Sequence, residues 1–274
     1  MASLQLHGVS KVFASRSAVE VQAVQSVDLS VKDGELLVLF GPSGSGKTTL
    51  LRIIAGLEQP SAGQVLVAGV DMTRRSPRQR NVAFVFQNGS LYGHYTVEQN
   101  LAFAVDQQRA NSGWWGLGSN GSSTSRPAMV ARVREVAEQF GITAWLQRRP
   151  ADLSGGQQQQ VAVARALIRR PNVLLLDEPF SSLDGPVRQT LVRELKQHLQ
   201  QQAQTAIYVT HDLAEALSLA DRVGVLIAGQ LQQLGEPVEV FQNPASEQIA
   251  ALFEPLRQTE RPGWWWNQSA TIKT

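Results

Sequence analysis

Apolar residues along the chain fall into short runs separated by stretches of helical spacing, the pattern of a sheet with helices packed against it. The segment from LQLHGVSKVF through VQSVDLSVKDG alternates apolar and polar positions as strands do. ELLVLF (35–40) is apolar on both faces and predicts a buried strand, followed by a helix over KTTLLRIIAG (47–56) that Gly56 closes. QVLVAG (64–69) and NVAFVFQ (81–87) predict two further strands. From Thr96 to Arg170 the spacing turns helical, interrupted by a stretch rich in Gly, Ser and Asn at 111–125. The chain then returns to a strand over VLLLD (173–177), a helix over 187–202, a strand over AIYVT (206–210), a helix from Asp212, and a strand over RVGVLIA (222–228). This order predicts an α/β protein with a mostly parallel sheet and a helical insertion at about 88–170. Within the insertion, residues 107–127 read as a flexible loop whose Trp114–Trp115 pair covers nearby surface or binds something apolar. Residues 255–274 read as a polar tail that frays, with Trp264–Trp266 docking on the chain itself, on a partner or on a membrane surface.

Composition narrows the classes that remain. The chain has 274 residues, 25 Lys+Arg against 23 Asp+Glu, and no cysteine. That length supports one large core or a core with an insert. The absence of cysteine excludes disulfides, thiolate metal sites and cysteine nucleophiles. A net charge of +2 argues against a protein built to grip nucleic acid. Charged residues are only 18% of the chain, and Gln, at roughly one residue in ten, fills much of the gap. No signal-peptide pattern opens the chain and no run approaches a membrane span, so an intracellular protein is expected, with any membrane supplied by another subunit.

Two segments carry chemistry that fits together. GPSGSGKTT (41–49) follows a buried strand and opens a helix, the context in which G-x-x-x-x-G-K-[ST] binds phosphate. Gly41, Gly44 and Gly46 let backbone N–H groups wrap the phosphates, with Pro42, Ser43, Ser45 and Thr49 completing the loop, and the helix start adds its positive dipole end. Lys47 places a charge on the β- and γ-phosphates, and Thr48 can put its hydroxyl on Mg²⁺. VLLLDEP (173–179) delivers Asp177 and Glu178 from the end of a buried strand to the same crevice. Asp177 is expected to hold Mg²⁺ and Glu178 to activate a water against the γ-phosphate. LSGGQ (153–157) then supplies a second anion-binding helix start, in which Ser154, Gly155 and Gly156 precede a helix QQQQVAVARALIRR that opens at Gln157. A second cradle has no evident use beside one phosphate loop unless it closes over the nucleotide of another copy.

These motifs, in this order, make the chain similar to the ATP-binding subunits of ABC transporters over residues 4–254, so that 1–254 is expected to form one ATPase cassette. The resemblance implies a P-loop NTPase core, an N-terminal antiparallel β subdomain and an inserted helical subdomain. It implies ATP and Mg²⁺ as cofactors and an ATP-hydrolysing homodimer in which Ser154 and Gly156 of one copy meet the γ-phosphate held by the other. It assigns Gln87 to sensing Mg²⁺ and the attacking water, and His211 to the γ-phosphate and the water's orientation. It places Asp184 of SSLD (181–184) at the dimer interface and Phe13 on the adenine. The segments 50–65 and 87–105 and the run from Ala220 to Ser246 resemble the importer branch. That branch docks on transmembrane permease subunits at the cytoplasmic face of the membrane and works indirectly with a solute-binding protein; its phrases lean towards sulfate or thiosulfate. Nucleic acid is not an expected partner. An exporter motor, a nucleic-acid ABC ATPase and a non-hydrolysing ATP binder remain as alternatives.

Three departures from the family pattern stand out. Gln160 replaces an Arg, removing a fixed cation near the signature helix and with it a tie to the core. Gly93 replaces a Pro, which loosens the docking loop. The family's C-terminal regulatory β-domain has no counterpart in the 274 residues, so regulation through it is not expected.

Overall fold

The computed structural model describes residues 2–14, 20–87, 89–112 and 126–258. Its strands are β1 (Ala2–Phe13), β2 (Val21–Lys32), β3 (Leu36–Phe40), β4 (Ala62–Val67), β5 (Val70–Asp71), β6 (Val82–Val85), β7 (Val173–Asp177), β8 (Ala206–Thr210), β9 (Arg222–Ile227) and β10 (Gln230–Gly235). Its α-helices are α1 (Lys47–Ala55), α2 (Val97–Ser112), α3 (Arg126–Gln139), α4 (Gly155–Leu167), α5 (Gly185–Gln201), α6 (Leu213–Leu219), α7 (Pro237–Gln242) and α8 (Glu247–Gln258). One sheet has the order β10-β9-β3-β8-β7-β6, parallel except for β10; a four-stranded antiparallel sheet has the order β2-β1-β4-β5. The parallel core, the N-terminal antiparallel part and the helices inserted between β6 and β7 are those expected.

Alternation along the central strands sorts side chains between two cores. Leu36, Val38 and Phe40 of β3, Leu174 and Leu176 of β7, and Tyr208 of β8 face the helices α2–α8. Leu37, Leu39, Leu175, Ile207 and Val209 face α1 and the antiparallel sheet. Strands buried on both faces explain why these segments read as continuous apolar runs. Parallel pairing also aims their C-terminal ends the same way: Phe40 lies opposite Thr210, and Asp177 opposite Val209. Residues just past β3, β7 and β8 therefore share one rim of the sheet.

Helix α1 is held at its far end by Arg80, which is fully buried. Its guanidinium donates to the carbonyls of Ile53 (2.6 Å) and Ile54 (2.9 Å) in the last turn, and to Thr73 and Arg75. Burial lowers its pKa to about 10, so it stays charged at neutral pH and caps the negative end of the helix.

Several boundaries differ from expectation. The loop expected at 107–127 is narrower, because α2 continues to Ser112 and α3 starts at Arg126; DQQRANS contains no breaker before Gly113. Trp114 and Trp115 lie outside the described residues. The segment expected as a tail from 255 begins as helix, since α8 reaches Gln258 through Pro255; Ile249 and Phe253, four apart on one face and fully buried, anchor it. Trp264–Trp266 lie outside the described residues. Strand β10 escaped the pattern because its Gln residues mask alternation. A two-residue turn, Ala228 (φ 48°) and Gly229 (φ 81°), folds it back on β9.

Candidate functional site

The loop after β3 wraps as the glycine spacing requires. Gly44 (φ 78°) and Gly46 (φ 98°) are left-handed, and a Cβ on Gly46 would stand 2.2 Å from the Ala23 carbonyl oxygen. Helix α1 starts at Lys47 with no acidic residue in its first turn to offset the dipole. The Lys47 ammonium is buried and donates to the carbonyls of Gly41 and Pro42, each at 2.8 Å. Burial lowers its pKa, while Glu178 and Asp177 pull the other way. A cleft of about 380 Å³ opens over this loop, lined by Ser43–Thr49, Glu178, Val21, Ala23 and the β9–β10 turn.

A chain of polar contacts joins the loop to the ends of the neighbouring strands. Thr48 Oγ1 donates to Asp177 Oδ1 at 2.9 Å. Burial raises the pKa of Asp177, and the Thr48 hydrogen bond only partly offsets this. Glu178 follows with φ 45°, a left-handed conformation unusual for Glu, which turns its carboxylate out of strand direction. Its Oε2 lies 2.9 Å from His211 Nδ1. Its carbonyl accepts from Ser181 Oγ (3.1 Å), which in turn accepts from Gln87 Nε2 (3.1 Å). Lys47, Thr48, Asp177, Glu178, Ser181, Gln87 and His211 thus form one cluster at the sheet rim. Gln87 sits in the turn after β6, two residues beyond the strand it was expected to end.

This donor set fits Mg²⁺. Two hard oxygens, Thr48 Oγ1 and Asp177 Oδ1, converge beside the phosphate loop, and among the described residues no cation forms an ion pair with the buried Asp177 carboxylate. Among the described residues no group of three His, Asp or Glu could cage a metal by itself. A cation that completes its shell with phosphate oxygens and water suits such a sparse set.

The remaining expected residues lie apart from the cleft. Phe13 is exposed at the end of β1, opposite Val21 of the cleft wall, with Lys11 Nζ 4.8 Å over its ring; it does not line the cleft. Ser154 caps α4: its Oγ accepts from the Gln157 N–H (3.4 Å), and its own N–H donates to Gln157 Oε1 (3.0 Å). The helix therefore begins at Gly155, with both glycines in its first turn rather than before it. A Cβ on Gly156 would meet Leu183 and Val187 at 3.4–3.7 Å, so the signature segment and the loop carrying Asp184 form one continuous face. Ser154, Gly155 and Asp184 are exposed, and none of them lines the cleft.

Gln160 makes its side-chain bond within the insertion. Its Nε2 donates to the Phe140 carbonyl at 2.7 Å, so it ties α4 to the end of α3 within the insertion. The link from α4 to the sheet is made by its neighbour: Gln159, buried, donates to the Phe86 carbonyl at 3.1 Å, immediately before Gln87. Sequence reasoning passed over Gln159 and Ser181. Their neighbours in the chain carried the recognisable motifs, and no spacing rule marks a buried glutamine as a strut.

The chain matches the ABC transporter family model over residues 24–181. It is 44% identical over 259 residues to the trehalose/maltose import ATP-binding protein MalK of Thermococcus litoralis, covering 92% of this chain and 64% of that protein. It is 42% identical over 253 residues to the sulfate/thiosulfate import ATP-binding protein CysA of Thermosynechococcus vestitus, covering 92% of this chain and 70% of that one. The chain thus spans about two thirds of the length of these curated relatives. A dimeric ATP-binding cassette in a post-hydrolysis state, bound to ADP and Pi, superposes with a TM-score of 0.70 at 28% identity, over 85% of this chain and 98% of that one. Motif order, fold and similarity agree: the chain belongs to the ABC transporter family.

Proposed function

We propose that the chain is an ATP-hydrolysing motor subunit that works as a homodimer and drives a solute importer. The carrying observation is the separation of its two phosphate-binding elements. The cleft over Ser43–Thr49 contains no part of the signature segment, which stands exposed on the face shared with Asp184. Two copies facing each other would complete two sites, each with the phosphate loop of one chain and Ser154–Gln157 of the other. The dimeric relative bound to ADP and Pi is similar to this chain in fold, which supports the arrangement.

Within each site the cluster divides the work. The loop amides and Lys47 hold the phosphates, so that Lys47 exchanges its two carbonyl partners for phosphate oxygens. Thr48 and Asp177 would hold Mg²⁺, which when bound neutralises phosphate charge. Glu178 accepts a proton from the attacking water, and His211, at 2.9 Å from its carboxylate, keeps that carboxylate aimed. Gln87, through Ser181, ties Glu178 to the first residues of the insertion, so that nucleotide state and insertion position are coupled. Catalysis rests on positioning and charge.

Transmission runs through the insertion to transmembrane permease subunits, with the chain bound at the cytoplasmic face of the membrane and a solute-binding protein acting upstream. No helix among the described residues is long and apolar enough to cross a membrane. The names of the relatives, import ATP-binding proteins, favour import over export and over work on nucleic acid. They do not favour the sulfate lean, because relatives named for trehalose/maltose, sulfate/thiosulfate and spermidine/putrescine are 44%, 42% and 43% identical. The solute is therefore assigned by the other subunits. The test is the specific ATPase rate of the purified chain across a protein dilution series. A rate per chain that rises with concentration supports the two-copy site; full activity in a dilute monomer overturns it.

A further inference from the structure

The His211 side chain is half exposed and its imidazole bonds Glu178 (2.9 Å), so its place is set by the backbone on either side of it. Three hydrogen bonds tie that backbone into a closed loop. The Thr210 hydroxyl accepts from the Asp212 N–H (2.9 Å) and donates to Glu215 Oε2 (2.8 Å). Asp212 Oδ1 in turn accepts from the Glu215 N–H at 3.0 Å. Tyr208 of β8, fully buried, donates to the same Glu215 oxygen at 3.0 Å. Glu215 is itself buried, where a carboxylate is costly to keep, and burial raises its pKa against the hydrogen bonds from Thr210 and Tyr208. An apolar side chain would fill the same space at less cost. What the carboxylate adds is a hold on the chain around His211.

One cation from another helix joins this loop. Arg188 of α5 places Nη2 3.3 Å from Asp212 Oδ2 and Nε 3.4 Å from Glu215 Oε1. Both distances exceed the roughly 2.7–2.9 Å of a charge-assisted hydrogen bond, so these partly exposed pairs add little stability. Where Arg188 stands is more telling. Its N–H donates to the Asp184 carbonyl (2.9 Å), and Val187 beside it is exposed on the face shared with the signature segment. We propose that Arg188 and Glu215 are positioning residues for ATP hydrolysis: Glu215 fixes the backbone that carries His211, and Arg188 ties that backbone to the helix against which a second copy would press. Both roles rest on the two-copy reading above and name the side chains through which the second copy would act on His211 and Glu178. Neither residue lines the nucleotide cleft, so changing them should alter turnover and spare nucleotide binding.

The test is steady-state ATPase kinetics of the purified full-length chain, with Tm and the affinity for a fluorescent ATP analogue measured beside it. Arg188→Met keeps a packing stem and removes the guanidinium fork. It should lower kcat by about 10-fold, leave KM and analogue affinity within about twofold, and lower Tm by no more than roughly 3 °C. Arg188→Lys restores the charge and should bring kcat back to within about threefold of wild type. Tyr208→Phe removes one donor to Glu215 at unchanged packing and should lower kcat by about threefold; it carries the test where Arg188→Met does not fold. Because both changes act on one carboxylate, the double variant should lose less than the product of the two effects. A kcat within twofold of wild type in Arg188→Met and Tyr208→Phe overturns the positioning roles. So does a loss shared by KM and analogue affinity, an Arg188→Lys rate no better than that of Arg188→Met, or a fully multiplicative loss in the double variant. A wild-type chain fully active as a dilute monomer instead overturns the two-copy reading, and with it the tie to a second copy.

Discussion

The two helix starts proposed to bind phosphate, at α1 and at α4, differ in how much of their surroundings one copy provides. The α1 start is enclosed: Lys47 is buried, its loop is fixed by left-handed glycines, and Thr48 reaches the adjacent strand through Asp177. The α4 start is bare. Ser154 and Gly155 are exposed, and Ser154 and Gln157 spend their capping bonds on each other. On the proposed reading, the same local device, glycines feeding a helix N-terminus, is a nearly complete site in one place and half a site in the other. The sheet makes the difference. α1 follows a central strand and inherits the polar ends of β7 and β8, whereas the start of α4 belongs to the insertion and lies against Leu183 and Val187, on either side of Asp184.

Substitutions at the two starts should therefore fail in different ways. The largest effect is expected from Lys47→Ala, which should lower ATP hydrolysis by at least about 10²–10³-fold and weaken nucleotide binding by the single chain. Equilibrium binding of a fluorescent ATP analogue together with a phosphate-release assay reads both. Next, Gly156→Asp places a carboxylate on the exposed face, where a Cβ just clears Leu183. It should leave nucleotide affinity of the monomer within about twofold while abolishing hydrolysis, since like charge at the second cradle would repel phosphate. Equal loss of monomer binding in both variants would erase the distinction between complete site and half-site.

A smaller effect concerns the charge stored in the enclosed site. Asp177 in that site, and Glu215 on α6 outside it, where Tyr208 and Thr210 donate to its carboxylate, have pKa values raised mainly by burial. The folded state thus holds their protons more tightly than the unfolded chain does. The stability they contribute is full below their ordinary values, 3.8 and 4.5, and is lost as pH rises through the raised folded values. Asp177→Asn should flatten part of that decline and raise Tm at pH 7 without Mg²⁺ by on the order of 2 °C, while cancelling stabilisation by Mg-ATP. Thermal unfolding across pH 4–8 checks it. The smallest effect is expected from Gln160→Arg. The present amide bonds the Phe140 carbonyl inside the insertion, and an arginine can make the same bond, so the ATPase rate should stay level or rise. A clear fall in steady-state turnover would contradict this.

The two starts also differ in how much the sequence disclosed. GPSGSGKTT and VLLLDEP state both residue type and structural setting, because a strand buried on both faces must be apolar throughout and its end must turn polar at the rim. Boundaries at β3, β7 and β8 fell within a residue of expectation for that reason. LSGGQ disclosed a helix start but not what it faces, since exposure depends on packing between distant segments. Gln159 and Arg80 show the limit more sharply. Each is a polar residue on an otherwise ordinary helix or turn, and each acquires its role from a carbonyl far away in the chain. Helix α8 was hidden by Pro255, a residue that argues for an end where burial of Phe253 carries the helix on.

The central claim, that two copies share each site, is tested most directly by Glu178→Gln. This change keeps a hydrogen-bonding group 2.9 Å from His211 but removes the base, so that bound ATP persists. Light scattering of the purified variant with saturating Mg-ATP should give about twice the 29.9 kDa chain mass, reverting to a single chain when nucleotide is removed. A variant that binds Mg-ATP to saturation and remains at the mass of one chain would contradict the account.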